Sequence, residues 1–263
     1  MVYGDGVNGR SLLTAVAVVA MSMSVAAPAV GESPEPLPSG TDVDYQLGGA
    51  TRPAERVGIV VRDRNARPAA GRYNVCYVNG FQTQPDERRS WRSRMGLVLH
   101  DGGRPVVDEA WGEWLLDIRT RGKRARLARI VGRWTRGCAR DGFDAVEYDN
   151  LDSFSRSHRL IKRRHAIAFA RLLVRSAHRA GLAAGQKNMA GFDGTRVGFD
   201  FAVAEECGRW RECGRYVSSY GDQVLAIEYR RRDFRRACRQ IGRRLPVVLR
   251  DRNLSPDGVH EWC

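Results

Sequence analysis

Lysine is almost missing from this sequence: only Lys123, Lys162 and Lys187 occur among its 44 basic residues, and the rest are arginine. Against 30 acidic residues this leaves a formal charge of +14, spread along the chain. Nucleic-acid sites usually mix lysine and arginine on one clustered face, so an arginine excess spread over the whole chain argues against nucleic acid as the partner. Long apolar runs are missing after residue 40, which excludes a polytopic membrane protein. No C-x-x-C pair occurs and no histidine stands at zinc-finger spacing, which argues against a structural zinc site. No G-x-G-x-x-G follows a strand-like run, so a dinucleotide-binding sheet lacks its fingerprint. What is present, 43% hydrophobic residues in a chain of 263, suffices for a sizeable core and excludes a wholly disordered chain.

Residues 1–29 read as a secretory signal peptide: Arg10, a short apolar stretch over 11–26, then the small-residue site Ala27-Pro28-Ala29. An uncleaved anchor is the alternative. Residues 30–40 (VGESPEPLPSG) read as a Pro/Ser-rich linker rather than a packed element, leaving 41–263 as a single domain. All six cysteines, Cys76, Cys138, Cys207, Cys213, Cys238 and Cys263, fall in that domain, and an even count in an exported chain implies disulfides. Cys207 and Cys213 are near enough to close a small loop. Cys76–Cys138 is the next expected pair, strand to neighbouring helix, which leaves Cys238–Cys263 to anchor the C-terminus.

Apolar or β-branched runs occur at 43–47, 57–61, 73–78, 143–148, 182–185, 199–204, 224–229 and 245–249. Several are apolar at nearly every position, as buried parallel strands are. Amphipathic helices lie between them. Leu127, Ile130, Val131, Trp134 and Cys138 mark one helical face that ends at Asp141-Gly142; further helices are expected over 155–180 and 231–243. Eight strands alternating with helices predict an α/β fold, a (β/α)8 TIM barrel, with a doubly wound sheet as the alternative. The long gap from Asn79 to Gly142 predicts extra structure over the third strand.

In such a barrel the C-terminal ends of the strands line the active site. Here those ends carry Asp44 and Gln46, Asp63, Asn79, Asp149, Gln186 to Asn188, Glu205, Glu228 and Asp251. Carboxylates and amides without a Ser–His–Asp pattern or a histidine cluster suit glycoside hydrolysis, in which one carboxyl protonates the leaving oxygen and another attacks or activates water. That chemistry calls for no metal and no organic cofactor. Two segments stand out, Gly142–Asp152 (GFDAVEYDNLD) and Phe199–Cys213 (FDFAVAEECGRWREC). In the first, Asp149 ends a strand, while Asp152 could equally cap the next helix. In the second, alternation lets only one of Glu205 and Glu206 point inward. The other would pair with arginine.

Together these segments resemble glycoside hydrolase family 114, the endo-α-1,4-polygalactosaminidases. The resemblance runs through Asp44-Tyr-Gln-Leu-Gly-Gly49, Trp111-Gly-Glu-Trp-Leu-Leu-Asp-Ile-Arg119, Val146–Asp152, Gln186-Lys-Asn188, the Glu205–Cys213 region and Ile227-Glu-Tyr229. It implies a (β/α)8 barrel that cleaves an α-1,4-linked, galactosamine-containing polysaccharide, with Asp149 and Glu205 as the catalytic pair. The Tyr148-Asp-Asn150 strand end is also similar to the fourth strand of retaining α-galactosidases, which implies Asp149 as nucleophile and Glu205 as acid/base. Asp44, Gln46, Asp117, Arg119, Asn150, Asp152, Lys187, Glu206, Glu228 and Trp111 become candidate substrate contacts, with Trp114 and Trp210 as further stacking surfaces. Asn79-Gly-Phe-Gln-Thr-Gln84 departs from the serine- and glycine-containing end of the third strand expected in the family. The resulting expectation is a secreted monomer acting on a galactosamine-rich polymer, free of nucleic acid and of stable membrane association. A catalytically silent glycan-binding barrel and a basic nucleic-acid binder are the rival readings. Most arginines belong to outward-facing helices, so Asp44, Asp149, Asp152, Glu205 and Glu228, with Asp117 and Glu113 above, are expected to form an acidic mouth in a basic shell.

Overall fold

The computed structural model describes residues 1–4, 6 and 33–263. The apolar stretch of the expected leader lies outside the described residues. No described helix is long and apolar enough to cross a membrane.

All eight expected strands form: β1 (Asp42–Gln46), β2 (Val57–Asp63), β3 (Tyr73–Asn79), β4 (Ala145–Asp149), β5 (Ala183–Lys187), β6 (Phe201–Glu205), β7 (Val224–Glu228) and β8 (Val247–Arg250). They pair in parallel and in chain order. Their period of two sorts the side chains. Val43, Tyr45, Ile59, Val61, Val75, Tyr77, Phe201, Val203, Leu225, Ile227 and Val248 fill the barrel interior. Alternate positions such as Cys76, Val146, Ala202 and Ala226 meet the helices. Gly185 is required inside: a Cβ there would stand 2.5 Å from the Phe201 ring.

A ninth strand, β9 (His260–Trp262), was not foreseen. It runs antiparallel to β8 at the seam where β8 should meet β1. Trp262 Nε1 donates to the Val43 carbonyl at 2.7 Å, and Arg250 bonds Asp44 and the Tyr45 carbonyl. Side-chain bonds thus close the seam that a parallel ladder would otherwise close.

The helix α1 (Arg121–Asp141) starts at Thr120, whose hydroxyl accepts from Lys123 N, and stops at Gly142 in the left-handed region, a conformation costly for residues with a Cβ. The expected helix over 155–180 is shorter. A 3-10 turn occupies Ser153–Arg156, His158 and Arg159 take positive φ, and α2 runs only from Arg163 to Arg179. The break carries Arg156 back to Asn150 and Asp152 at the mouth. Two further helices, α3 (Cys213–Tyr220) and α4 (Arg231–Ile241), complete the major helices of the outer layer. The gap after β3 holds short helices and two small antiparallel hairpins, the extra structure that its length predicted.

All three expected disulfides are present, Cys76–Cys138, Cys207–Cys213 and Cys238–Cys263. The described part of the 30–40 segment has no regular structure and is mostly exposed, but Leu37 ties it to the barrel. Leu37 is buried and its N–H donates to Gln223 Oε1, while Tyr73 OH donates to the Glu35 carbonyl. One apolar residue among prolines is enough to seat the segment on the barrel, a contact that composition cannot reveal.

Candidate active site

Parity along the strands decides which carboxyls reach the mouth. Ala145, Glu147 and Asp149 share the inward face of β4, and Phe201, Val203 and Glu205 that of β6. Lys187 ends the inward face of β5 between them. Its side chain is almost fully enclosed, and Nζ lies 3.1 Å from Glu205 Oε2, 3.4 Å from Asp149 Oδ2 and 2.9 Å from Tyr45 OH. Burial alone disfavours the ammonium, yet Asp149, Glu205 and Glu147 outweigh it and push the Lys187 pKa well up.

Further donors surround each carboxylate. Asp149 accepts from Tyr77 OH at 2.9 Å and from the Asn150 N–H at 2.6 Å. Glu205 accepts from Tyr229 OH and from Asn188 Nδ2. Burial raises the pKa of Tyr45, Tyr77 and Tyr229, so all three remain phenols that can donate. Beneath the pair, Tyr45 OH donates to Glu147 Oε1 at 2.5 Å in the closed interior.

Above them opens a cleft of about 590 Å³, lined by Asp149, Asn150, Asp152, Lys187, Glu205, Glu206 and Trp111 from the expected set. Trp111 is 61% exposed there, the geometry of a stacking platform. Trp210 is exposed away from the cleft and Trp114 is held beneath Arg88, so neither lines it. Glu206 does pair with arginine, as the alternative reading had it: Arg209 and Arg252 both bind its carboxylate.

Five expected contacts do not line the cleft. Asp44 and Gln46 lie on the outward face of β1, because Val43 and Tyr45 take the interior. Asp44 is buried against Arg250 and His260, and Gln46 binds Arg62 and Thr51. Glu228 is outward for the same reason, since Leu225 and Ile227 fill the core. Its Oε1 accepts from Gly208 N at 2.6 Å in the helix layer. Asp117 is buried in ion pairs with Arg119 and Lys123, and neither Asp117 nor Arg119 lines the cleft. Standing near a strand end is insufficient; the side chain must also be on the inward parity.

Two further charged residues line the cleft: Arg156, which was not foreseen, and Glu113, which was expected above the acidic mouth. Arg156, from the break before α2, binds Asp152 and Asp108 at the cleft wall. Glu113, from one of the hairpins over β3, enters the cleft beside Asp149 and accepts from Asn79 Nδ2 at 2.9 Å. The β3 end that departed from the family pattern therefore positions a carboxyl through Asn79.

Burial raises Glu113, Glu147 and Glu228 each to about 7, from the ordinary 4.5. Each holds its proton in the folded state where the unfolded chain has lost it. Their contribution to stability is complete below 4.5 and disappears as pH rises through about 7. Asp117 acts in the opposite sense. Burial opposes its charge, but Arg119 and Lys123 outweigh that and draw it to about 2, so its contribution is lost only as pH falls through that value. Urea unfolding should therefore give lower stability at pH 8 than at pH 5. A flat profile across that interval would mean that water reaches these carboxyls.

A (β/α)8 barrel with a carboxyl-lined mouth at the strand ends is the framework of a sugar-cleaving hydrolase. The profile of glycoside-hydrolase family GH114 matches residues 24–263, and the chain belongs to that family: it is a glycoside hydrolase. Solved structures similar in fold include the following two. The Aspergillus fumigatus protein Ega3, solved in complex with galactosamine, is 22% identical with a TM-score of 0.71, over 89% of this chain and 100% of that one. The glycoside hydrolase domain of PelA from Pseudomonas aeruginosa is 18% identical with a TM-score of 0.60, over 84% and 98%. No curated protein matches the chain.

Proposed function

We propose that this protein is a secreted, monomeric endo-hydrolase of an α-1,4-linked, galactosamine-containing polysaccharide, with Asp149 as nucleophile and Glu205 as acid/base. The observation that carries the reading is the single Lys187 ammonium between the two carboxylates. The two oxygens that meet Lys187, at 3.1 and 3.4 Å, cannot stand more than about 6.5 Å apart, a limit that accommodates the ~5–5.5 Å carboxyl separation of retaining enzymes. The first step starts with Asp149 ionised and Glu205 carrying a proton: Asp149 forms a bond to the anomeric carbon as the glycosidic C–O bond breaks, and the leaving oxygen takes the Glu205 proton. Negative charge thereby passes from Asp149 to Glu205. Lys187 neighbours both, so the counter-charge need not move. Water, deprotonated by Glu205, then displaces Asp149.

The substrate assignment is supported by family membership, by the galactosamine bound to the similar Ega3, and by the acidic cleft in a basic protein. Three disulfides favour an oxidising compartment, in keeping with export, and the even spread of arginine speaks against nucleic acid as partner. Defined α-1,4-galactosamine oligomers should be cut internally, and NMR of the first product should show retained anomeric configuration. Inverted product would reduce Asp149 to a general base. Failure to cut any galactosamine chain would remove the substrate assignment.

A further inference from the structure

The carboxyls of the cleft differ in one respect, which is whether a cation already answers them. Lys187 serves Asp149 and Glu205, Arg156 serves Asp108 and Asp152, and Arg209 with Arg252 serves Glu206. Asp63 has no ion pair among the described residues, but it is only partly buried, and Gln84 and the Asn65 N–H hydrate it in effect. Glu113 is different. It is 8% exposed, and among the described residues no basic group lies within ion-pair distance of it.

Its orientation is fixed. Asn79 Oδ1 accepts from the Gln82 N–H and from Asn150 Nδ2, so Asn79 Nδ2 must face Glu113. Asn150 Nδ2 also reaches the same Glu113 oxygen, Oε2, at 3.4 Å. Oε1 has no protein partner among the described residues, and the residue lines the cleft beside Asp149. A carboxyl that is nine-tenths buried, held by neutral amides on one oxygen and unanswered on the other, has room for a cationic donor from outside the protein.

We propose that Glu113 is the specificity residue that reads the substrate's free amine, binding the 2-ammonium of a galactosamine unit next to the scissile bond and discriminating against its N-acetylated counterpart. This rests on the galactosamine reading of the same cleft. An acetamide would carry no charge and would leave the desolvated carboxyl unpaired, which is where discrimination by a buried polar site is greatest. The charged groups facing Glu113 agree: Asp149 and Asp108 disfavour its ionisation, and Arg156 favours it only from a distance. With its pKa raised to about 7 by burial, Glu113 is mostly protonated at pH 6 and must release that proton to pair with an ammonium.

The test uses α-1,4-galactosamine oligomers of one length, fully deacetylated and partly N-acetylated, with products sequenced by mass spectrometry. The wild type should place a free amine at one constant position relative to each cut. Glu113→Gln keeps the volume and an acceptor for Asn79, and should lower kcat/KM on the deacetylated oligomer at least about 30-fold, the loss expected when one partner of a buried charge pair is removed. The positional preference for a free amine should disappear with it. An unchanged preference in Glu113→Gln overturns the inference while leaving the substrate class intact. Equal losses on both oligomers, with the preference kept, would assign Glu113 to chemistry or folding and overturn it too. A wild type that cuts no galactosamine chain removes the parent reading. Should Glu113→Gln not fold, calorimetry of the deacetylated oligomer with Asp149→Asn decides. Proton release at pH 6, seen as a binding heat that depends on buffer ionisation, is expected; its absence overturns the proposal.

Discussion

Asp149→Asn should reduce turnover by about 10⁴-fold or more, as loss of an essential nucleophile does, while the protein remains folded. Asparagine keeps the volume, its one carbonyl oxygen can still accept from the Asn150 N–H, its amide can donate to the Tyr77 oxygen, and Lys187 retains Glu205 as its partner. Glu205→Gln should be nearly as damaging on a polysaccharide, whose leaving group needs a proton. It should be milder on activated aryl glycosides, which leave unassisted. Glu206→Gln is the control. Its carboxylate already belongs to Arg209 and Arg252, so most activity should persist. Activity assays on purified variants, with circular dichroism to confirm folding, decide the matter. A dead Glu206→Gln beside an active Glu205→Gln would reverse the assignment of the inward glutamate.

Lys187→Met should affect both activity and stability, which distinguishes it from the carboxyl variants. The ammonium makes three contacts inside the barrel mouth, and methionine preserves most of the length while supplying none of the charge. Removing one side of a buried ion pair typically costs about 3–5 kcal/mol, because the remaining charge is left uncompensated. Here two carboxylates would face one another, with Glu147 beneath. Like charges sharing a site favour uptake of a proton, so the loss should be larger at pH 8 than at pH 5. Activity should fall by about 10²–10³-fold, the effect of removing a preorganised charge from a reacting centre. Equal melting temperatures for Lys187→Met and wild type at pH 8 would show that solvent, not Lys187, balances the pair.

Much of this fold follows from local pattern. The eight apolar runs became eight strands, and the face running through Leu127, Ile130 and Val131 became α1, which stops at Gly142. Period-two alternation was enough to put Asp149 on the mouth-facing side, and it allowed Glu205 there once Phe201 and Val203 were seen to fill the interior. Alternation applied to every strand would also have turned Asp44, Gln46 and Glu228 away. Treating any polar residue near a strand end as a site residue ignored the side it faces. The disulfides were legible for separate reasons: Cys207 and Cys213 are close in the chain, Cys76 and Cys138 fall on a strand and its neighbouring helix, and Cys238–Cys263 was the pair that remained.

What pattern could not supply are contacts between segments distant in the chain. The sequence alone pointed to an α/β barrel and put Asp149 on an inward face, because both depend on the pattern of neighbouring residues along one strand. That Lys187 stands between Asp149 and Glu205 depends on β4, β5 and β6 curving around a common interior. That Glu113 arrives beside Asp149 depends on a hairpin far from Asp149 in the chain folding over β3, held there by Asn79 and Asn150. The seam between β8 and β1 likewise needed β9, from the far end of the chain. Local periodicity says which way a side chain points; only closure of the chain on itself decides what it meets there.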